Sequence, residues 1–157
     1  MTDPGAIGTH AEPVWRDRAN FIIRAPIPDA VRARIRIEQL WARQLDELTF
    51  ELCCIPFWLY DVALGDTVRT DVAHEVVEVV QRRGHATYRV WLRDQPVDRD
   101  ELVAALTERG ALLEWAGHDL LAIDAADAEM SRTLADYLWA EEQRGALVYE
   151  TGDLVPR

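Results

Sequence analysis

The sequence predicts an α+β fold, in which a small strand-rich sheet or partial barrel over residues 20–85 is joined to a ferredoxin-like (βαββαβ) lobe over residues 86–153. Two observations lead to this fold class. Alternating and β-branched apolar residues fill most of the first lobe, as is typical of strands. The second lobe runs strand, helix, strand, strand, helix, strand, with a capping residue at the start of each helix.

The first lobe contains four predicted strands and one short helical segment. Residues 20–26 (NFIIRAP) form a strand that a proline ends, and residues 31–37 alternate apolar residues with arginine. Between residues 37 and 45 the apolar spacing becomes helical, which predicts one or two amphipathic turns. The other predicted elements are two strands and a turn, at residues 50–54, 76–80 and Gly65-Asp66.

The starts and ends of helices are clearest in the second lobe. Asp98, with Glu101 three residues later, resembles a capping box and predicts a helix that ends at Gly110. Asp127 caps a second helix, which ends at Gly145. We expect a four-stranded antiparallel sheet with both helices on one face. Its strands are predicted at residues 86–93, 111–116, 120–124 and 146–150.

Both ends of the chain are predicted to lie outside these lobes. Residues 1–19 contain Gly, Pro and Thr without periodicity, and are expected to form a flexible N-terminal arm. Residues 154–157 (LVPR) resemble the remnant of a thrombin-type site ahead of a C-terminal tag. No signal peptide pattern is visible at the N-terminus.

The charge composition argues against several classes of function. The 28 acidic and 17 basic residues give a formal net charge of −11, which disfavours binding to the phosphates of nucleic acids. Every basic residue is arginine, which excludes a lysine Schiff base and a P-loop lysine. No apolar run reaches the roughly 18 residues of a membrane span, so we expect a cytoplasmic protein without a membrane partner.

The histidines and cysteines indicate no metal or cofactor. Their spacing fits no metal-ligand pattern, so neither a metal site nor another cofactor is predicted. Cys53 and Cys54 are adjacent, and we expect reduced thiols of unequal exposure on opposite faces of a strand. A thiol nucleophile with His85 as its base is an alternative, although no Gly-rich oxyanion loop accompanies the cysteines.

Polar and aromatic residues on neighbouring predicted strands form the candidate ligand or partner site. Thr87 and Arg89 share a strand face, about 6 to 7 Å apart, which suits an anionic or amide ligand. Alternatively, Arg89 forms only a salt bridge with an acidic residue on the next strand. The candidate site residues are Trp58, Tyr60, Asp66, His85, Thr87, Arg89 and Trp91, and no catalytic residue is assigned.

Two functional hypotheses follow. The acidic charge and the six tryptophans favour a cytosolic, non-enzymatic module that binds a protein or peptide partner, in an accessory or immunity-like role. A basic partner would be steered to such a surface. The alternative is a small enzyme or small-ligand-binding protein, with a pocket between the lobes around His85, Thr87 and Arg89.

Four segments of the chain carry a family resemblance. They read IPFWLYDVALGDTV, GHATYR, ERGALLEW and GALVYETGD, and contain the pattern Ile-Pro-Phe, Gly-Asp and Gly-His-x-Thr-x-Arg. Together they resemble an uncharacterised bacterial family of small single-domain proteins, a domain of unknown function, over about residues 20–152. That family often has an amide residue before Ile-Pro-Phe, where this chain has Cys54. The resemblance implies one evolutionary unit and no particular activity.

Overall fold

The computed structural model describes residues 6–28 and 34–153, and shows a mixed α+β protein with two sheets and two helices. The predictions for residues 1–5, 31–33 and 154–157 lie outside the described residues. No described helix is both long enough and apolar enough to cross a membrane.

The first sheet has six strands, with the longest at its centre. They are β1 (Ala6–Gly8), β2 (Phe21–Pro26), β3 (Ile35–Gln44), β4 (Thr49–Leu52), β5 (Thr67–Thr70) and β6 (Val76–Gln81). β3 pairs with β2 along one edge, and with β1 and β4 along the other. A backbone bridge between Arg24 and Glu75 brings β2 close to β6, so the sheet curls back on itself. Its core is apolar and includes Leu40, Phe50 and Val68.

The second sheet has four antiparallel strands in the order β10-β7-β9-β8. Its elements are β7 (Ala86–Trp91), α1 (Arg99–Glu108), β8 (Leu112–Ala116), β9 (Leu120–Ala125), α2 (Ala128–Gln143) and β10 (Val148–Thr151). Leu106 of α1 and Leu138 of α2 share one core with Val90 of β7, so both helices lie on the same face, as the sequence predicts. The predicted caps are also present, since the side chains of Asp98 and Asp127 accept hydrogen bonds from backbone N–H groups in the first turn of each helix.

Residues 37–45 correct the sequence prediction, because the segment through Gln44 is strand and not helix. Buried residues alternate along β3 at Glu38, Leu40 and Ala42. One member of this buried face is a glutamate, so the sequence hides the two-residue period that identifies a strand. The helical spacing of the apolar residues is therefore coincidental.

Residues 6–19, which we expected to belong to a flexible arm, instead pack on the first sheet. β1 pairs in parallel with β3, and residues 16–18 form a turn of 3-10 helix. His10 is only 3% exposed. This segment is too short to show a periodicity, and its position depends on residues distant in the sequence.

The two cysteines are free and both are completely buried. The prediction of unequal exposure is therefore wrong. Cys53 and Cys54 follow β4 at a point where the chain passes between the two sheets, so both of its sides are covered. Alternation of exposed and buried side chains holds only for a strand with one face in water.

Candidate functional site

The face of the second sheet opposite the helices carries the polar residues of the candidate site. Arg89 of β7 lies opposite Glu150 of β10 on one side and Ala122 of β9 on the other, and Ala122 lies opposite Glu114 of β8. One row of side chains therefore contains a central guanidinium with a carboxylate near each end. A neighbouring row contains Thr87, Asp124 and Leu112.

Residues 53–60 lie between this polar face and the first sheet. Ile55 and Phe57 pack against Leu120 and Ala122 of β9. The segment has no regular secondary structure, although most of it is buried. Because buried backbone groups need hydrogen-bond partners, this segment requires side chains to supply them.

Arg89 supplies donors to the carbonyl groups of this segment. Its side chain is completely buried, and its Nε and Nη2 donate to the carbonyl oxygen of Pro56 at 3.3 and 3.2 Å. Nη2 also donates to the carbonyl oxygen of Leu59. The guanidinium carbon lies 4.7 Å from the ring centroid of Tyr60, and Nη1 lies 3.6 Å from a carboxylate oxygen of Glu150. An acid on the next strand lies near Arg89, as in the salt-bridge alternative, but the hydrogen bonds of the guanidinium go to backbone carbonyl groups.

Glu38 accepts hydrogen bonds from the N–H groups of the same segment. One carboxylate oxygen accepts from Phe57 at 2.8 Å, and the other accepts from Trp58 at 3.0 Å and Leu59 at 2.9 Å. Burial would raise the pKa of Glu38, but hydrogen bonds from His10 and from these N–H groups hold it below its ordinary value. Glu38 is therefore an ionised group with no solvent contact.

His10 joins Glu38 to Glu114 across the space between the sheets. Its Nε2 lies 2.7 Å from Glu38 Oε2, and its Nδ1 lies 2.8 Å from Glu114 Oε1. Both ring nitrogens can donate only in the imidazolium form. Burial alone would lower the pKa of His10, but Cys54 and the two carboxylates raise it well above its ordinary value. The ring of Phe57 stacks on the imidazole at 4.1 Å between centroids.

Sequence reasoning missed this buried triad of His10, Glu38 and Glu114. The three residues come from three distant parts of the chain, and no motif or spacing relates them. The local sequence feature of β3 that could have indicated the triad is a glutamate on the apolar face of the strand. That sign becomes visible only once β3 is recognised as a strand.

His85 pairs with a carboxylate rather than with a thiol. Its Nδ1 lies 2.9 and 3.0 Å from the two carboxylate oxygens of Asp124, and this contact raises the pKa of His85. The side chain of His85 is 14% exposed. Burial raises the pKa of Cys53 to about 11 and also raises that of Cys54, so neither thiol is activated as a nucleophile.

The other candidate residues fall into separate surroundings. Asp66 accepts from the N–H groups of Ala63 and Arg83, both at 3.0 Å, and its charge also raises the pKa of His85. Thr87 is buried beside Gly152, and within the described part of the chain its hydroxyl has no hydrogen-bond partner.

The aromatic candidates do not form one cluster. Tyr60 donates to Glu150 at 2.7 Å and lies against Arg89. The Trp58 ring covers Gly8 of β1, whereas Trp91 is 42% exposed at the end of β7. The structure therefore brings Tyr60 to Arg89 and Asp66 to His85, and leaves both tryptophans apart from them.

The described surface also carries exposed aromatic residues and an open groove. Trp139 on α2 is 58% exposed, more than Trp91. The groove, of about 760 Å³, lies beside α1 and the β8–β9 turn, where Trp115 and His118 contribute to its lining. Within residues 6–28 and 34–153, no group of three or more His, Cys, Asp or Glu side chains is arranged to hold a metal ion.

Comparisons with known proteins identify a family and a fold. A model of a domain of unknown function (DUF4265) matches residues 38–149, which include Glu38 and Glu114 but not His10. The structure of a hypothetical protein from Neisseria gonorrhoeae is similar, with a TM-score of 0.70 and 18% identity, over 88% of this chain and 99% of that chain. At this identity the similarity shows the fold alone. No curated protein matches the sequence.

Proposed function

Because this chain belongs to DUF4265, a family of domains of unknown function, we propose a function from its geometry: it is a cytosolic, non-enzymatic module that binds a basic protein or peptide. The observation that carries this proposal is the exposure of Trp139, 58% of whose surface is in contact with solvent. Tryptophan is among the residues that contribute most to protein interfaces.

The surroundings of Trp139 favour a basic partner. Asp136 lies one helical turn before it and Glu142 one turn after it, on the same side of α2, and one oxygen of the half-buried Glu142 accepts from the N–H group of Tyr149 at 3.1 Å. The whole chain has a formal net charge of −11, so long-range electrostatic attraction would also favour a basic partner. The partner would insert an apolar group beside the indole and place a cation near these carboxylates.

The buried polar layer supports a binding role rather than catalysis. Residues 53–60 occupy the space between the sheets. Arg89 donates to carbonyl groups of this segment, and Glu38 accepts from its N–H groups. Both groups are buried, so their charges serve the fold. The strand order β10-β7-β9-β8 supports a ferredoxin-like second lobe, whose helix face would present α2 to the partner.

Affinity purification with paired variants tests this proposal. Wild-type protein, Trp139→Ala and Trp91→Ala would each be used as bait, and any protein retained by the wild type would be purified for measurement of its Kd. We expect Trp139→Ala to weaken binding by about 30-fold or more, which corresponds to about 2 kcal/mol at an interface hot spot. Trp91→Ala is the matched control, because Trp91 is also exposed but lies on the opposite face of the second sheet.

Salt dependence tests the basic character of the partner. The affinity should fall as ionic strength rises, because opposite charges attract less strongly in salt. Equal affinities for the wild type and Trp139→Ala would contradict the proposed surface. An affinity that does not change with salt would contradict a basic partner.

A second candidate function is a small enzyme or small-ligand-binding protein that uses His85. The observation in its favour is the His85–Asp124 pair, in which a buried carboxylate orients a partly exposed imidazole. For Arg89 and Thr87 to contribute to the same inter-lobe site, residues 53–60 would have to move away from them, because both side chains are buried. In this case His85→Ala would abolish binding of a small ligand by the folded protein, and would also lower the melting temperature because the buried Asp124 carboxylate loses its partner. Trp139→Ala would leave that binding intact.

A further inference from the structure

We propose that Glu38, Glu114 and Phe57 form a binding site for a planar cation, an imidazolium or a guanidinium, and that His10 of the same chain occupies it. This inference does not depend on the partner surface around Trp139. It rests on the geometry of the contacts that His10 makes and on the groups that hold the two carboxylates in place.

The contacts of His10 are those of a bound ligand. The ring lies nearly parallel to that of Phe57, with 6° between the planes, and each nitrogen meets one carboxylate at 2.7 or 2.8 Å. A flat cation with two in-plane donors satisfies all three groups at once. Imidazolium and guanidinium both have this shape, whereas the ammonium group of lysine does not.

Backbone N–H groups of the segment between the sheets hold both carboxylates of the site. Glu38 is held by the three N–H groups of Phe57, Trp58 and Leu59, and Glu114 accepts from the N–H group of Ile55. These four bonds come from the segment between the sheets, and the N-terminal segment adds one longer bond, from the N–H group of Val14 to Glu114 at 3.5 Å. A site whose charged groups are held in place in advance loses less free energy on ordering when a ligand binds.

The occupant and the site come from different parts of the chain. Within the described residues, β1 pairs with β3 over three residues, and Ile7 is 56% exposed. Further along the same segment, Val14 packs against the cluster that contains Ile55 and Phe57, and the N–H group of Trp15 donates to the carbonyl oxygen of Cys53. The residues that match the family model, 38–149, contain both carboxylates and Phe57, whereas His10 lies before them. The three site residues therefore lie within the matched region, and the occupant lies before it.

Chemical rescue of His10→Ala tests the proposal. Imidazole would be added to this variant at about pH 6, where the ring is largely protonated, and the thermal melt recorded. At a concentration about a hundredfold above its Kd, imidazole should raise the Tm by about 5 to 10 °C. Methylguanidinium should also raise the Tm. Pyrazole, a neutral ring of the same size, should have much less effect.

Three further proteins serve as controls. The wild type should show no imidazole-dependent shift, because His10 already fills the site. His118→Ala should also show none, because His118 is an exposed residue in the β8–β9 turn. The double variant His10→Ala/Glu114→Gln should lose the response to imidazole, since one of the two carboxylates would be neutral.

Two results with His10→Ala would overturn the proposed cation site. Equal effects of imidazole and pyrazole on His10→Ala, or no effect of either, would overturn it. If His10→Ala is unfolded in buffer, the same titration would be read as recovery of near-ultraviolet circular dichroism in sucrose, which favours the folded state. Failure of imidazole to restore that signal would also overturn the proposal.

Discussion

Replacement of Arg89 by alanine should destabilise the protein by about 3 to 5 kcal/mol, because a buried charged group that holds other groups would be removed. The side chain has no exposed surface, and it donates to the carbonyl oxygens of Pro56 and Leu59. Each buried carbonyl left without a donor costs about 1 to 3 kcal/mol. The Glu150 carboxylate would lose the guanidinium at 3.6 Å. Because the side chain of Glu150 is 34% exposed, hydration would offset part of this loss.

Urea denaturation of the wild type and of Arg89→Ala measures this cost. For a protein of this size the expected change corresponds to a fall in Tm of about 6 to 20 °C. Arg144→Ala is a suitable control, because Arg144 forms an ion pair with Glu141 but its side chain is 71% exposed. That surface pair should contribute less than about 1 kcal/mol.

The result for Arg89→Ala also separates the two roles of the residue. A loss below about 1 kcal/mol, with an unchanged m value, would refute the view that the guanidinium holds residues 53–60. If such a stable variant also failed to bind a small ligand that the wild type binds, the inter-lobe ligand site would be favoured instead. Arg89→Lys keeps a charge but loses the planar fork, and should fall between the wild type and alanine.

Three other predictions concern the N-terminal segment and the thiols. Folding raises the pKa of His10, so the stabilisation by His10 should be complete below pH 6.5, the ordinary pKa of histidine, and should disappear as the pH rises through the folded-state pKa. Urea denaturation of His10→Gln should lack this pH dependence. Parallel curves of unfolding free energy against pH for the two proteins would contradict this prediction. Gly8→Ala would place a Cβ 2.2 Å from the Trp58 ring and should cost about 1 to 3 kcal/mol in the same assay, whereas an unchanged midpoint would show that the ring moves freely. Cys53 and Cys54 should react with a thiol reagent only after unfolding, since both are buried; rapid labelling of the native protein at either cysteine would disprove this.

The sequence predicted the second lobe better than the first. Each helix there starts at an aspartate whose carboxylate accepts from a nearby N–H group, and such caps are encoded locally. The helical prediction for residues 37–45 is wrong because the buried face of β3 contains Glu38. A buried charge depends on partners elsewhere in the chain, and no local pattern reports them.

The candidate site was predicted in part. Thr87 and Arg89 do share one face of β7, and an acid does lie opposite Arg89, because strand alternation is a local property. His10 was assigned to a flexible arm, since its role requires two carboxylates 28 and 104 residues away. Pairings of this kind depend on tertiary structure and could not be derived from spacing.

The segment at residues 53–60 also determines how the molecule should unfold. Glu38 belongs to the first sheet, whereas Arg89 and Glu114 belong to the second, and all three hold the same stretch of backbone. If either sheet opened, residues 53–60 would lose hydrogen bonds and move. The charged side chains of the other sheet would then lose their backbone partners as well. We therefore expect the two sheets to unfold as one cooperative unit, in a single transition. In a fragment of residues 86–153 alone, Arg89 and Glu114 would lose the backbone groups of residues 53–60 that they bond, so we expect such a fragment to be less stable than the whole protein.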